Sequence, residues 1–168
     1  MGNGWYSVEQ VADLLDLHVR TVRGYIRDGK LKVGLDLQAD LRRLGVMREA
    51  AAALIGEHDF TSFRASACQA HSPVKDLRRI EIVRRGAYWR FEFEASAFLH
   101  HMIRNIMGCL IAVGTGNRPP HWMAEVLAAR SRDAAAPTFS PDGLYFLGPV
   151  YDASWNIPDR TPAFDWLP

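Results

Sequence analysis

The sequence predicts an α+β fold: an antiparallel sheet with helices on one face, preceded by a small helix-turn-helix. Three observations predict it. From Leu77 to Arg84, Ile80 and Ile82 alternate with Arg79 and Glu81. After an Arg85-Gly-Ala87 turn, Trp89, Phe91 and Phe93 alternate with Arg90, Glu92 and Glu94. Period-two alternation on both sides of a glycine turn describes a hairpin with one buried face. Next, Phe98 to Val113 carries a broad helical stripe of Leu99, Met102, Ile103, Ile106, Met107, Leu110 and Ile111. Finally, the first 33 residues read as two short helices joined by a tight turn.

Taken in order, Ser7-Val-Glu-Gln10 has the form of a capping box, and Val8, Val11, Ala12, Leu14 and Leu15 give the first helix its apolar face. Asp16-Leu-His18 is the turn. Arg20 to Arg27 is the second helix, stopped by Asp28-Gly29, and Leu31-Lys-Val33 begins a strand. Leu37, Leu41, Leu44, Met47, Ala51, Leu54 and Ile55 recur at helical spacing, with Gly45 interrupting. A helix is expected from Met47 to Ile55, with extension backward as a continuous connector left open. Gly56 to Asp59 reads as a turn. Asn117-Arg-Pro-Pro120 ends the main helix, His121 to Ala129 forms another, and Leu144 to Tyr151 is the expected last strand after the Pro141-Asp-Gly143 turn. The expected units are 1–33, a helix-turn-helix-like segment; 34–46, a connector; 47–158, the main α+β body; and 159–168, a tail.

Composition narrows the function classes. About half of the 168 residues are apolar, enough for a packed core, and the net charge of +1 shows no overall bias toward nucleic acid or membrane. Cys68 and Cys109 are far apart without metal spacing and read as reduced core thiols of a cytoplasmic protein. The apolar stretch around Ile106 to Val113 is too short to span a bilayer, and no secretory leader pattern opens the chain. Charge is nonetheless uneven: from Arg64 to Arg90 there are seven Lys/Arg against Asp76 and Glu81. That excess reads either as a phosphate-facing surface or as a solvated sheet face.

On the main helix, His100, His101, Arg104 and Asn105 are expected to fall together opposite the stripe, with Gly108 at their centre and no carboxylate among them. A glycine inside a helix costs about 1 kcal/mol relative to alanine, so a close backbone approach is the expected reason for Gly108. Such a face suits a phosphate or a buried carboxylate partner; the alternative is an arginine paired with a neighbouring acid for structure. Metal binding is not expected, because helical neighbours point about 100° apart and neither histidine has a further ligand three or four residues away. Asp59, followed by Ser62, reads as a turn-capping group rather than a catalyst. No nucleophile-elbow sequence is present.

Gly56-Glu-His-Asp-Phe-Thr-Ser-Phe-Arg-Ala65, Phe98-Leu-His-His-Met-Ile-Arg-Asn-Ile-Met-Gly108 and Asp142-Gly-Leu-Tyr145, in this order, resemble the C-terminal half of the tRNA pseudouridine synthase A family. The resemblance covers about residues 47–158. It implies half of a mixed α/β catalytic fold whose two related halves flank a positively charged cleft. It also implies a homodimer, the anticodon stem-loop region of tRNA as substrate, and no cofactor. In the family an aspartate attacks the target nucleotide, and the uracil is re-attached through carbon. By resemblance, Arg104 matches the arginine that orients that aspartate and Leu144 the apolar residue packing on the uracil. Phe98, Met102 and Gly108 match the supporting helix. Arg64, Lys75, Arg78, Arg79, Arg84, His100 and His101 are the expected RNA contacts. The family's Arg-Thr-Asp-Ala-Gly type motif does not occur in these residues. The nucleophile is therefore missing, and the chain is expected to be inactive alone.

Tyr6-Ser-Val-Glu-Gln-Val-Ala-Asp-Leu-Leu15 and Thr21-Val-Arg-Gly-Tyr-Ile-Arg-Asp-Gly-Lys-Leu31 resemble the helix-turn-helix of excisionase- and regulator-type DNA-binding proteins. If this unit binds duplex DNA, Arg20, Thr21 and Arg23 open its recognition helix; otherwise the helical pair packs or dimerises. Two alternatives to the synthase reading stay open: a DNA-binding regulator whose second half is scaffold, and a fusion without function of its own.

Overall fold

The computed structural model describes residues 37–85 and 88–157. The helix-turn-helix segment with Arg20, Thr21 and Arg23, the strand start at Leu31–Val33, the hairpin residues Gly86 and Ala87, and the tail 159–168 lie outside the described residues. Three main helices and three strands follow one another: α1 (Leu37–Ala52), β1 (Gly56–Asp59), β2 (Val74–Arg85), β3 (Tyr88–Ala95), α2 (Met102–Gly114) and α3 (Trp122–Ala129). Short 3-10 turns occur at Thr61–Phe63, Arg132–Ala134 and Ala153–Trp155. This is the expected α+β class.

The strands form one antiparallel sheet in the order β1-β2-β3. Register runs from Gly56↔Leu77 to Asp59↔Val74 on one side of β2, and from Leu77↔Ala95 to Arg85↔Tyr88 on the other. A bulge between Leu77 and Arg79 inserts one extra residue, Arg78, into β2. An extra residue reverses the alternation, so Leu77 shares the core face with Ile80 and Ile82 despite its odd number. Trp89, Phe91 and Phe93 lie on that same face, half-buried against the core.

The core joins Met47, Ala50 and Leu54 of α1, Phe60 and Phe63 of the turn after β1, and Leu77 and Ile82 of the sheet. Ile106, Leu110 and Val113 of α2 and Met123 and Val126 of α3 complete it. Helix α1 crosses α2 where the Met47 side chain packs over Gly114; a Cβ there would meet Met47 Sδ at 2.7 Å, so the methionine would have to shift. Buried Ser62 links the Thr61–Phe63 turn to the end of α3, donating from Oγ to Val126 O at 2.5 Å and accepting from Ser131 N at 2.9 Å.

Four expectations change. First, the helix expected at Met47–Ile55 begins at Leu37, so the continuous-connector alternative is the observed one; Gly45 lies inside it with open space around it. Second, Gly56–Asp59 is a strand rather than a turn, a case in which pairing with Val74–Leu77 overrides weak strand propensity. Third, the main helix begins at Met102 rather than Phe98. His101 adopts a left-handed backbone (φ 61°), and the residues before it form a loop held by Ala65 N donating to His100 O at 3.1 Å. Fourth, Leu144–Tyr151 pairs with no strand among the described residues and runs as exposed chain.

Candidate functional site

The site grows from one side of α2. Arg104, Asn105, Gly108 and Cys109 occupy neighbouring positions on that helix, and the segment Ala136–Phe139 lies along them. Ala136 N donates to Cys109 Sγ at 3.3 Å, and Thr138 Oγ1 donates to Asn105 Oδ1 at 2.7 Å. Phe139 and Arg104 exchange two bonds: Phe139 N to Arg104 O at 3.1 Å, and Arg104 Nε to Phe139 O at 2.8 Å. A Cβ on Gly108 would overlap the Pro137 carbonyl oxygen. The close backbone approach expected from a mid-helix glycine is therefore present, and its partner is this segment.

Asn105 does not share an open polar face with the histidines, as the helical count predicted. It is fully buried, and its Nδ2 donates to Phe63 O at 2.8 Å while its Oδ1 receives Thr138. A buried amide satisfied on both sides fixes the relative position of the elements it joins. Here it locks the Phe63 turn, α2 and the Thr138 strand of chain together, with Arg132 Nη2 adding a bond to Thr138 Oγ1 at 3.1 Å. The sequence signalled a polar residue at that position but not the direction in which it turns.

Arg104 is half-buried, and its Nε is fixed by Phe139 O. Among the described residues no carboxylate pairs with its two terminal nitrogens. A guanidinium tethered through Nε presents a preset fork for a carboxylate or phosphate. Beside it, the rings of His100 and His101 lie 4.0 Å apart, centroid to centroid. Desolvation, then the charges of His100 and Arg104, holds the His101 imidazole below its usual range. The left-handed backbone at a bulky residue costs about 1–3 kcal/mol and collects at functional sites. His100 is exposed, and its backbone N–H donates to Cys68 Sγ at 3.4 Å.

The remaining expected contacts scatter. Arg64 turns inward and donates to Cys68 O at 2.6 Å and Ala70 O at 2.9 Å. Lys75 Nζ donates to Ser72 O and Val74 O. Arg78, the bulge residue, is exposed and pairs with Asp76 at 3.2 Å. Arg79 faces Glu81, Glu92 and Glu94 at 2.9, 3.4 and 3.7 Å. The basic excess counted along the chain is thus offset across the hairpin by acids of β3. Arg84 pairs in register with Trp89; its side chain lies outside the described set. Phe98 is exposed beside the loop before α2, Met102 is buried in the core, and Leu144 is half exposed. Asp59 caps a turn, as its sequence position indicated: its Oδ1 accepts from Thr61 N at 2.9 Å and Thr61 Oγ1 at 2.6 Å. The hydrogen bond from the Thr61 hydroxyl holds its carboxyl below the usual range. Among the described residues no three His, Cys, Asp or Glu side chains are grouped to hold a metal.

Two families match this chain. Residues 50–152 match the family described as tRNA pseudouridine synthase, and residues 5–44 match a helix-turn-helix domain family. The chain is 77% identical over 122 residues to tRNA pseudouridine synthase A of Methylibium petroleiphilum, covering 73% of this chain and 47% of that protein. It is 67% identical over 140 residues to the protein of the same name from Paracidovorax citrulli, covering 73% and 50%. With that of Polaromonas naphthalenivorans it shares 71% over 126 residues, covering 73% and 48%. The chain spans about half the length of the curated relatives it matches.

Proposed function

This chain belongs to the tRNA pseudouridine synthase family, and from that premise we propose that its second half is the tRNA-facing, catalysis-supporting half of such an enzyme. The observation that carries the proposal is Arg104: tethered at Nε, with its terminal nitrogens facing no carboxylate among the described residues. In the family reaction an arginine at this position orients the nucleophilic aspartate. No Arg-Thr-Asp-Ala-Gly type motif is present in the 168 residues, so the chain by itself has the orienting group without the nucleophile. Met102 and Gly108 support the helix that carries Arg104. Phe98 and Leu144, both partly exposed, offer the apolar surface for a flipped uracil.

tRNA is the proposed partner, gripped through phosphates by His100 and His101, with Arg84 as a further contact and with Arg64, Lys75, Arg78 and Arg79, which already bond to protein groups, as weaker contributors. No cofactor enters this chemistry. No helix among the described residues is long and apolar enough to cross a membrane, and the proposed setting is the cytoplasm, where tRNA is modified. Homodimerisation, and duplex DNA held through Arg20, Thr21 and Arg23, are further partners of the same reading. A DNA-binding regulator using the second half as scaffold is the competing reading, favoured by the match at residues 5–44.

The test is a pair of assays on the purified chain with unmodified tRNA. No pseudouridine forms above background, and Arg104→Ala weakens tRNA binding at least threefold while leaving the melting temperature within a few degrees. Turnover by the chain alone overturns the missing-nucleophile account. Unchanged tRNA affinity in Arg104→Ala removes Arg104 from the interface.

A further inference from the structure

Arg104 is aimed by a carbonyl, and that carbonyl is itself held. Arg104 Nε donates to Phe139 O at 2.8 Å, and Phe139 N donates back to Arg104 O at 3.1 Å. The preceding residues of the segment offer few ways to fix that carbonyl. Pro137 has no N–H to donate. Ala136 N reaches a thiol, Cys109 Sγ at 3.3 Å, which is a weak acceptor. Thr138 supplies the short bond: its Oγ1 donates to Asn105 Oδ1 at 2.7 Å and accepts from Arg132 Nη2 at 3.1 Å. Thr138 is exposed, so burial does not hold it in place; its hydroxyl does. The acceptor, Asn105, is fully buried and tied at its other end, with Nδ2 donating to Phe63 O at 2.8 Å. A buried amide bonded on both sides is a fixed post.

The contacts run in step: Arg104 and Asn105, neighbours on α2, hold Phe139 and Thr138, neighbours on the segment. Resting on the family reading above, we infer that Thr138 is a positioning residue for Arg104. Its hydroxyl, bonded to Asn105, sets the Phe139 carbonyl one residue further on, and that carbonyl sets the fork that Arg104 offers to a carboxylate or phosphate. A side chain already held in its binding direction loses less freedom when the ligand arrives. Without the hydroxyl, the post at Asn105 no longer grips the segment, the Phe139 carbonyl swings, and Arg104 spends part of its time pointing away from its ligand. Thr138 acts through Arg104 and need not touch the ligand itself.

The test compares Thr138→Val, which keeps the shape and removes the hydroxyl, with Thr138→Ser, which keeps the hydroxyl. Both are made in the whole chain and measured well below their melting temperatures. A loss of stability alone does not decide, because leaving Asn105 Oδ1 without this donor lowers stability whatever Arg104 does. The first readout is solvent exchange of the Arg104 Nε proton by NMR, assigned by its loss in Arg104→Lys. It should quicken by roughly fivefold or more in Thr138→Val, since a weakened hydrogen bond opens more often, and stay as it was in Thr138→Ser. The second readout is affinity for unmodified tRNA in a double-mutant cycle. Thr138→Val should weaken binding by roughly threefold or more in the otherwise unaltered chain, and hardly at all once Arg104→Ala is present, because coupled residues are not additive. Thr138→Ser should bind like the unaltered chain. An unchanged Nε exchange rate in Thr138→Val, or equal losses of affinity with and without Arg104, overturns the inference, and the hydroxyl then serves the fold alone. Exchange that quickens while neither Arg104→Ala nor Thr138→Val changes tRNA affinity upholds the tether and overturns the tRNA-facing reading alone.

Discussion

At the scale of single residues, the site depends on atoms that the sequence could indicate but not aim. Gly108 was legible, since a mid-helix glycine is unfavourable without a reason, and the reason is the Pro137 carbonyl. Helix propensity favours Gly108→Ala by about 1 kcal/mol, whereas overpacking typically costs about 1–3 kcal/mol. Because the obstacle is backbone rather than a flexible side chain, overpacking wins, and the variant should melt several degrees lower in a thermal denaturation series. Asn105 was not legible: a helical count placed it outside with the histidines, while two hydrogen bonds draw it inside. His101 gives a pH dependence. Its folded pKa is depressed, chiefly by desolvation, so the unfolded chain takes up the proton more readily. Stability is therefore full above the unfolded value of about 6.5 and falls as pH drops through it. Melting temperature should decline from about pH 7.5 to about 5.5, and the decline should shrink in His101→Gln. Asp59 does not interfere, because its depressed value places its stabilising contribution above its ordinary range near 3.8, lost only at lower pH.

At the scale of elements, local pattern succeeded where one face is buried and failed where partners decide. The hairpin alternation placed Ile80, Ile82, Phe91 and Phe93 correctly because period-two burial is a property of the strand itself. The bulge at Arg78 was hidden, since inserting one residue leaves no mark until the register is known. Gly56–Asp59 read as a turn because its strand character comes from β2 and not from its own residues. Helix α1 read as broken at Gly45, yet packing of Met47 and Ala50 on the core carries it through. Its Arg48 also closes the open row of β2. Removing a hydrogen-bond donor to a strand carbonyl costs about 1–3 kcal/mol where the acceptor is left without a partner. Arg48→Ala should therefore lower stability by about 1 kcal/mol in urea denaturation, the low end because the arginine itself is exposed. It should also quicken amide exchange in β2.

At the scale of the whole molecule, charge summed along the chain left two readings open, and Glu92 and Glu94 of the opposite strand pair with Arg79 on the sheet face. The remaining unbalanced features lie at the beginning of α2, where Arg104, His100 and His101 meet, and at the exposed apolar run after Gly143. The first of them is the feature on which the proposed tRNA-facing reading rests. The last strand, expected at Leu144–Tyr151, pairs with no strand among the described residues, because a strand needs a neighbour as well as propensity. The claim that orders these features is that the second half, and not the first 33 residues, directs binding. A competition at one fixed, near-physiological salt concentration between unmodified tRNA and random duplex DNA of similar charge tests it most directly. The account predicts preferential retention of tRNA, reduced in Arg104→Ala. Preference for the duplex, reduced instead by substituting Arg20 or Arg23, would contradict it and make the synthase half a scaffold.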